Sequence, residues 1–595
     1  MDLVIGDEQP TAEERAALDD VLGPATGTWT GGARDAADLR TAEGGATVRA
    51  RRHLLLPALQ ALVERVGHVS RGGLAEVCRR LTVPPADAYG VLTFYAGLPT
   101  EPRPPTVVHV CTDLACRASV TDGVHGDAFL AAAPCLGLCE VAPAALVVRH
   151  GVDHRADPVA HADPDTVDAL LAGGTPPPWR TADAVRAAGP LLARVDAADP
   201  TDLDAYRRAG GYEALRRAIE LGPAEVIAAI DRSGLVGRGG AAFPTGRKWA
   251  AVAAATDPVR HVVVNADESE PGTFKDRVVL EGDPYAVIEA ATVAGITCGA
   301  TSGYQYLRGE YPVARERLTV ALARARAAGL LGPDVAGSGL AFDLELRLGA
   351  GAYICGEETA LCNSIEGYRG EPRSKPPFPV EVGLFGRPTL VNNVETLLNT
   401  LLIVRDGAEA WAAGETKLFC VSGAVARPGL YEVPIGRPLD DLLAEAGVTP
   451  TLATVLLGGA AGSFLPPDAL DLPLGFEAAR AAGTTLGSGV VHAVDRSTDV
   501  VDLLGRIARF FRHESCGQCV PCRVGTVRQE EVLDRLRAAR DAGRLPDTAD
   551  LVLLDDLAGV LRDASICGLG QTAASAITSA MVHLRPFATN GGGRP

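Results

Sequence analysis

Two sets of cysteines carry the most pointed chemistry in this chain. Near its end lie Cys516-x2-Cys519-x2-Cys522 and a distant Cys567 in the run SICGLGQ. Three thiolates two residues apart with a remote fourth form the pattern of a [4Fe–4S] cluster, and zinc is a poor rival because three ligands crowd one loop. Nearer the start are Cys111-x4-Cys116 and, 18 residues on, Cys135-Leu-Gly-Leu-Cys139. Structural zinc usually takes two-residue spacings at both knuckles, so these wider spacings favour a [2Fe–2S] cluster. Cys78, Cys298, Cys355, Cys362 and Cys420 lack partners at ligand spacing and read as small buried hydrophobes.

A second concentration of chemistry lies between Ala350 and Thr396. It combines a Gly-flanked turn, the adjacent carboxylates Glu357 and Glu358, Lys375 beside Phe378, and the pair Asn392-Asn393. Such a mixture suits a polar ligand better than a core, because glycines admit the backbone and Asn amides both donate and accept. Of 56 Lys and Arg residues only four are lysines: Lys248, Lys275, Lys375 and Lys417. Where arginine has replaced nearly every lysine, those that remain mark places needing a compact ammonium. Three of them, and the asparagines Asn265, Asn363, Asn392 and Asn393, fall in the stretches 234–249, 261–277 and 348–396. We read these three stretches as one site.

The elements that must position these groups follow from pattern. At 595 residues and 47% apolar content the chain can bury several cores. Its net charge of −18 argues against nucleic acid as a partner. No apolar run reaches the length of a membrane span and the start is acidic, so no membrane insertion and a cytoplasmic location are expected.

Residues 1–45 read as a loose arm or short helices, and three short amphipathic helices follow from His53. TVVHVCTD (106–113) reads as a strand and AALVVRHGVDH (144–154) as a hairpin. GGTPPPW opens a linker at 174–199. The helix PAEVIAAIDRSG (223–234) precedes Gly237-x-Gly239-x-x-Ala242. A dinucleotide fingerprint needs a strand there, so that reading fails, yet a Gly-rich loop offering N–H groups and Lys248 to phosphate stands. HVVVNADESEPGTFKDR begins as a strand and ends in polar residues, which is where parallel α/β sheets place ligands. Residues 417–505 alternate short strands with Gly turns and are expected to carry no chemistry, and 506–587 are helical.

Resemblance adds to this. YGVLTFY with the two early cysteine pairs resembles the thioredoxin-like [2Fe–2S] subunit that accompanies the NADH-oxidising flavoprotein of complex I. In one departure, Arg117–Pro134 is short where that family has a helix. SGLVGRGGAAFPTGRKW, VVNADESEPGTFKDR and GAYICGEETALCNSIEGYRGEPRSKPPFP with PTLVNNVET closely resemble the flavoprotein itself and its relatives in NAD-dependent formate dehydrogenases and hydrogenases.

The resemblance implies a multidomain α/β chain: a helical and thioredoxin-like domain (46–173), a Rossmann-like FMN domain (200–410), a ubiquitin-like β-grasp domain (417–505) and a helical [4Fe–4S] domain (506–587). It implies that Gly237, Arg238, Gly239, Lys248, Asn265, Asp267, Tyr353, Glu357, Asn392 and Asn393 hold FMN. Phe243, Glu268, Glu270, Glu358, Lys375 and Phe378 would meet NAD(H), with Glu270 and Glu358 shaping the field near the flavin. Ala242 and Val264 stand where that family usually has Gly and Cys. The implied partner is a molybdenum or tungsten formate dehydrogenase catalytic subunit, with a hydrogenase or complex I as alternatives. Two other readings are a scaffold with a degenerate flavin site, which predicts losses among Asn265, Glu357 and Asn392-Asn393 that the sequence lacks, and a zinc-containing binding protein.

Overall fold

The computed structural model describes residues 5–25, 50–197 and 199–587. Ala12–Leu22 is a helix closed by a capping box in which Thr11 and Glu14 satisfy each other's backbone N–H. Most of the rest of the expected arm, 26–45, lies outside the described residues. The three expected helices follow at Leu55–Val66, Arg71–Leu81 and Pro85–Leu92.

The first sheet runs β2-β3-β1-β4-β5, with β1 Thr106–Cys111, β2 Gly123–His125, β3 Ala128–Ala133, β4 Ala145–Arg149 and β5 Arg155–Val159. Strand β1 pairs parallel with β3 and antiparallel with β4, and β4–β5 is the expected hairpin. In the short segment Arg117–Pro134, β2 pairs antiparallel with β3 in place of a helix, which still brings β3 alongside β1 in six or fewer residues per strand.

The linker at 174–199 proves to be structured. Trp179 Nε1 and Thr181 Oγ1 donate to Glu281 at 3.0 and 2.7 Å, and Val185–Ala187 forms β6, the edge strand of a later sheet. The carboxylate of Glu432 then accepts from the N–H groups of Gly189, Leu191 and Leu192. Pro- and Gly-rich composition signalled a spacer, but backbone donors that find acceptors become a strap.

The central sheet, β10-β7-β8-β9, is parallel throughout (β7 His261–Ala266, β8 Ser302–Leu307, β9 Asp343–Leu348, β10 Thr389–Asn393). The mostly apolar helix Pro284–Cys298 against it is buried along its whole length, its one carboxylate, Glu289, accepting from Tyr206 Oη and the N–H groups of Tyr212 and Leu215. A six-stranded sheet, β14-β13-β15-β11-β12-β6, forms the β-grasp unit (β11 Thr416–Gly423, β12 Gly429–Pro434, β13 Leu452–Leu457, β14 Ser463–Leu465, β15 Val490–Asp495). Five helices from Val500 to His583 complete the chain. Among the described residues no helix is long and apolar enough to cross a membrane.

Candidate functional site

The carboxyl ends of β7 and β10 lie side by side, with Asn393 in register with Asn265. The three chemistry-bearing stretches meet at this edge. Gly237–Phe243 forms a loop closed by the N–H of Gly237 donating to Phe243 O at 2.9 Å. A methyl at Gly239 would stand 3.1 Å from Asn393 Cβ, so glycine lets the loop lie against that strand end without displacing Asn393. Ala242 holds φ +50°, a left-handed conformation that explains a glycine at this place in related proteins.

One group of charges faces the open side. Lys248 Nζ, on the helix Thr245–Ala253, lies 3.0 Å from Glu358 Oε2 and donates to Val391 O at 3.1 Å. Lys375 Nζ lies 3.0 Å from Glu358 Oε1 and 2.7 Å from Glu357 Oε1. Burial pushes Glu358 up, but Lys248 and Lys375 outweigh it and hold the carboxyl below its ordinary value. Phe243 and Phe378 are 53% and 50% exposed, two free ring faces beside this ionic pair. Glu358→Gln keeps the shape and removes the charge both lysines share. It should raise KM for NADH or lower kcat/KM with ferricyanide several-fold, about 1 kcal/mol of binding, while FMN stays bound. Unchanged steady-state kinetics would remove Glu358 from the nucleotide site.

Other named residues turn inward. Glu268 accepts from the N–H groups of Asp276 and Arg277 at 2.9 and 3.0 Å and from Tyr311 Oη at 3.1 Å. It therefore caps the helix Lys275–Gly282 and does not point at a nucleotide; burial, and then Asp276, pushes it up to about 8. Glu270 accepts from Tyr353 Oη at 2.6 Å and Ala461 N–H at 2.9 Å, which links the site to the β-grasp unit. Glu357 caps the helix Glu358–Ile365 through the N–H groups of Thr359 and Ala360. Arg238 is fully buried, pairs with Glu415, lies 4.9 Å from the Phe476 ring and donates its backbone N–H to Thr396 Oγ1 at 2.8 Å. Asn392 Oδ1 accepts from Trp249 Nε1 at 3.0 Å, and Asn265 Nδ2 donates to Gly356 O at 2.8 Å. Asp267 sits just past the end of β7, and its carboxylate accepts from Ser269 Oγ at 3.2 Å.

Both amide atoms of Asn393 are occupied, since Nδ2 donates to Asp276 at 2.6 Å and Oδ1 accepts from Lys275 Nζ and the N–H of Glu395. Behind it lies a cluster that the spacing of residues did not reveal. Lys275 Nζ is 2.7 Å from Asp276 and 3.2 Å from Glu395, and Lys417 Nζ is 3.5 Å from the same Glu395 oxygen. Lys417 starts the β-grasp sheet, so the unit expected to carry no chemistry supplies a buried ammonium behind the site. Scarcity of lysine was the one signal that could have found it.

The cysteines of each set lie in neighbouring elements. Cys135 Sγ stands 3.4 Å from Cys139 Sγ, and Cys111 interacts with both Cys116 and Cys135. At the other end Cys519 and Cys522 flank the start of the helix Val520–Asp541, and Cys567 precedes Gly568–Thr572. Burial, with neighbouring thiols adding to it, pushes Cys522 up to about 12. Among the described residues no three of these thiols stand in a closed ligand group, and all of them are free; as thiolates they would suit the iron of a cluster.

Comparison with known proteins agrees. Residues 230–401 match the Nuo51 FMN-binding domain, 502–589 the NADH-ubiquinone oxidoreductase-F iron-sulfur binding region, 43–127 the thioredoxin-like [2Fe-2S] ferredoxin and 418–455 the SLBB domain. The chain is 43% identical to the F 2 subunit of the NADH-quinone oxidoreductase of Rhizobium meliloti, over 66% of its own length and 95% of that protein. This is an NADH-quinone oxidoreductase F-family protein. It is also 42% identical to the NADP-reducing hydrogenase subunit HndC of Solidesulfovibrio fructosivorans, over 64% of this chain and 79% of that one. Among solved structures it is similar to an NAD+-reducing [NiFe]-hydrogenase chain, at 34% identity and TM-score 0.77 over 90% of this chain and 91% of that one. The cofactors of this F-family chain are FMN, a [2Fe–2S] cluster and a [4Fe–4S] cluster, and the chain is an oxidoreductase with an NADH-binding flavin domain.

Proposed function

We propose that the chain is a diaphorase subunit that connects NAD(H) to a partner iron–sulfur catalytic subunit, with the edge of the parallel sheet as its flavin site. The observation that carries this reading is the meeting of Gly237–Phe243, Asn265–Asp267 and Asn392-Asn393 at that edge, beside Lys248 and Lys375. Bound FMN would exchange a hydride with nicotinamide and release the electrons singly, as iron–sulfur clusters require. The chain's own residues hold and orient. Lys248 suits a phosphate, Asp267 suits the polar edge of a ring system, and Phe243, Phe378 and the Glu358–Lys375 pair suit a nucleotide over it, while Asn265, whose amide already bonds Gly356 O and the Asp267 N–H, shapes the strand end. Glu357, Asn392 and Asn393 act through backbone placement, because their side chains are already engaged. Purified protein should be brown-yellow and release FMN on acid denaturation, whereas a folded, colourless protein that cannot be reconstituted with FMN would sink the reading.

For the partner we favour a molybdenum or tungsten formate dehydrogenase catalytic subunit, since fusion of the [2Fe–2S] and flavin units in one chain resembles its NAD-linked β subunit. A hydrogenase is the second reading, supported by similarity to a hydrogenase chain across both ends of this one. Copurification followed by NAD+ reduction with formate or with H2 decides between them.

A further inference from the structure

Three arginines from later in the chain end on the two cysteine loops of the N-terminal unit. Arg308 follows β8 at the carboxyl edge of the parallel sheet and is buried. Its Nη1 donates to Glu268 O at 2.9 Å and its Nη2 to the carbonyl of Cys135 itself. Arg506, on the helix Val500–Glu514, donates from Nη1 to Thr112 O and from Nη2 to Arg117 O at 3.4 Å, the carbonyls just after Cys111 and Cys116. Arg277 Nε donates to Gly137 O at 2.8 Å, in the middle of Cys135–Cys139. A methyl at Gly137 would overlap the Tyr311 phenol, so this loop lies directly against the flavin unit.

Charge sorts the three. Arg277 is matched by two buried carboxylates, Glu140 and, at 3.2 Å, Glu281, so it fixes the loop and adds no net positive charge. Arg308 and Arg506 each meet one acid, Glu310 at 3.3 Å and Asp502 at 2.8 Å, with side chains 19% and 44% exposed. Water reaches those acids, whereas the guanidinium groups bond to the cysteine loops, so the side of each pair that faces the thiols is the positive one. Four bonds separate a cysteine's carbonyl oxygen from its Sγ, so a guanidinium bonded to Cys135 O stands within about 8 Å of that sulfur.

We propose that Arg308 and Arg506 set the electron affinity of the N-terminal [2Fe–2S] cluster, each holding one cysteine loop by its carbonyls and keeping a positive charge beside it. On the function proposed above, the electron comes from NADH by way of the flavin, which gives up one electron as this site gains one. No atom is transferred, and the net charge at the four thiolates falls by one. A cation held there favours the reduced state, and one charge at this distance from a buried site changes the equilibrium by a factor of about ten or more. Arg308 comes from the flavin unit and Arg506 from the helical unit, so residues outside the unit that ligates the cluster decide how readily it is reduced.

The test is a mediated redox titration of the full chain followed by electron paramagnetic resonance, with the variants Arg308→Met, Arg308→Lys and Arg506→Gln. Arg506→Gln keeps a donor for Thr112 O and drops the charge. Both neutral variants should lower the reduced-to-oxidised ratio of the [2Fe–2S] signal about ten-fold at a fixed potential, a fall of about 59 mV for one electron. Arg308→Lys keeps the charge and loses the fork, and its potential should stay close to the parent's. A purely structural role would weaken the signal or lower the thermal transition without moving the potential. An unmoved potential in either cluster-loaded neutral variant overturns the proposal, and so does Arg308→Lys falling as far as Arg308→Met, or an equal shift of the [4Fe–4S] signal. If Arg308→Met fails to hold its cluster, Arg506→Gln decides alone. A folded parent with no [2Fe–2S] signal overturns the proposal together with the cluster assignment and leaves the flavin site standing.

Discussion

Cys519→Ser should leave NADH able to bleach the flavin in a single turnover while partner-coupled turnover falls more than about 100-fold. Loss of an outer partner of a metal ligand already costs about 10–100-fold, and here a ligand itself is lost. Cys519 sits at the N-terminus of the 22-residue helix Val520–Asp541, with Cys522 inside its first turn. The residues assigned to FMN lie in other segments, so hydride exchange and electron exit come apart. Cys135→Ser should disturb only the [2Fe–2S] signal if, as the resemblance implies, that cluster sits beside the flavin and off the main route. The comparison is coupled turnover of both variants, with electron paramagnetic resonance to confirm which cluster is gone. If Cys135→Ser loses coupled turnover as completely as Cys519→Ser, the N-terminal cluster lies on the route and the assignment is wrong.

Glu395→Gln should destabilise the flavin and β-grasp units by about 3–5 kcal/mol, the usual cost of stripping a buried charge of its partner. Glu395 is fully buried between Lys275 and Lys417, and its other oxygen accepts from the Leu418 N–H at 3.0 Å. Lys275 would keep Asp276, whereas Lys417 would keep no acid within reach. Burial pushes Lys417 from 10.5 down to about 8, with Glu395 opposing that fall. The sign of the pH dependence follows. Between about pH 8 and 10.5 the unfolded chain binds a proton at this lysine that the folded chain does not, so its contribution to stability rises with pH there. In Glu395→Gln the folded value drops further, so the deficit should be largest in acid, shrink as pH rises towards about 8 and stay level above that. Adding Lys417→Met should recover part of the loss and flatten this dependence. Thermal release of FMN, followed by its fluorescence, measures both; an unshifted transition in Glu395→Gln would show that the buried cluster carries no net stabilisation.

Legibility in the sequence followed chain distance. Cysteine spacing, the strands at 106–113 and 261–266, the hairpin at 144–154 and the helix at 223–234 are local patterns, and the fold contains each of them. The Glu358–Lys375 pair was within reach because both residues lie in one polar stretch. The direction Glu268 faces was not legible, because sequence likeness assigns a carboxylate to a loop but does not say which N–H groups it meets; here those of the helix eight residues on engage it. Lys417 and Glu395 are paired across a domain boundary, and nothing near Lys417 marks it as buried. The strand at 185–187 is three residues long, too short for any alternation to announce it.

The strap at 174–199 has a consequence for how such a chain could have come into being. Its Trp179 and Thr181 are bound to Glu281, its β6 completes the β-grasp sheet and its N–H groups end on Glu432. Across Gly174, Arg277 Nε donates to Gly137 O at 2.8 Å, Gln60 Nε2 to Gly349 O at 2.9 Å and the N–H of Gly97 to Ala350 O at 2.9 Å, so the residues before it and after it are held by contacts that do not depend on the peptide bonds between them. A tether adds only effective concentration to an interface that already closes. Cut near Gly174, the two pieces would meet as separate subunits through the surface they share now; gene fusion at this point would have joined proteins already fitted to each other, and fission would undo it with little structural loss.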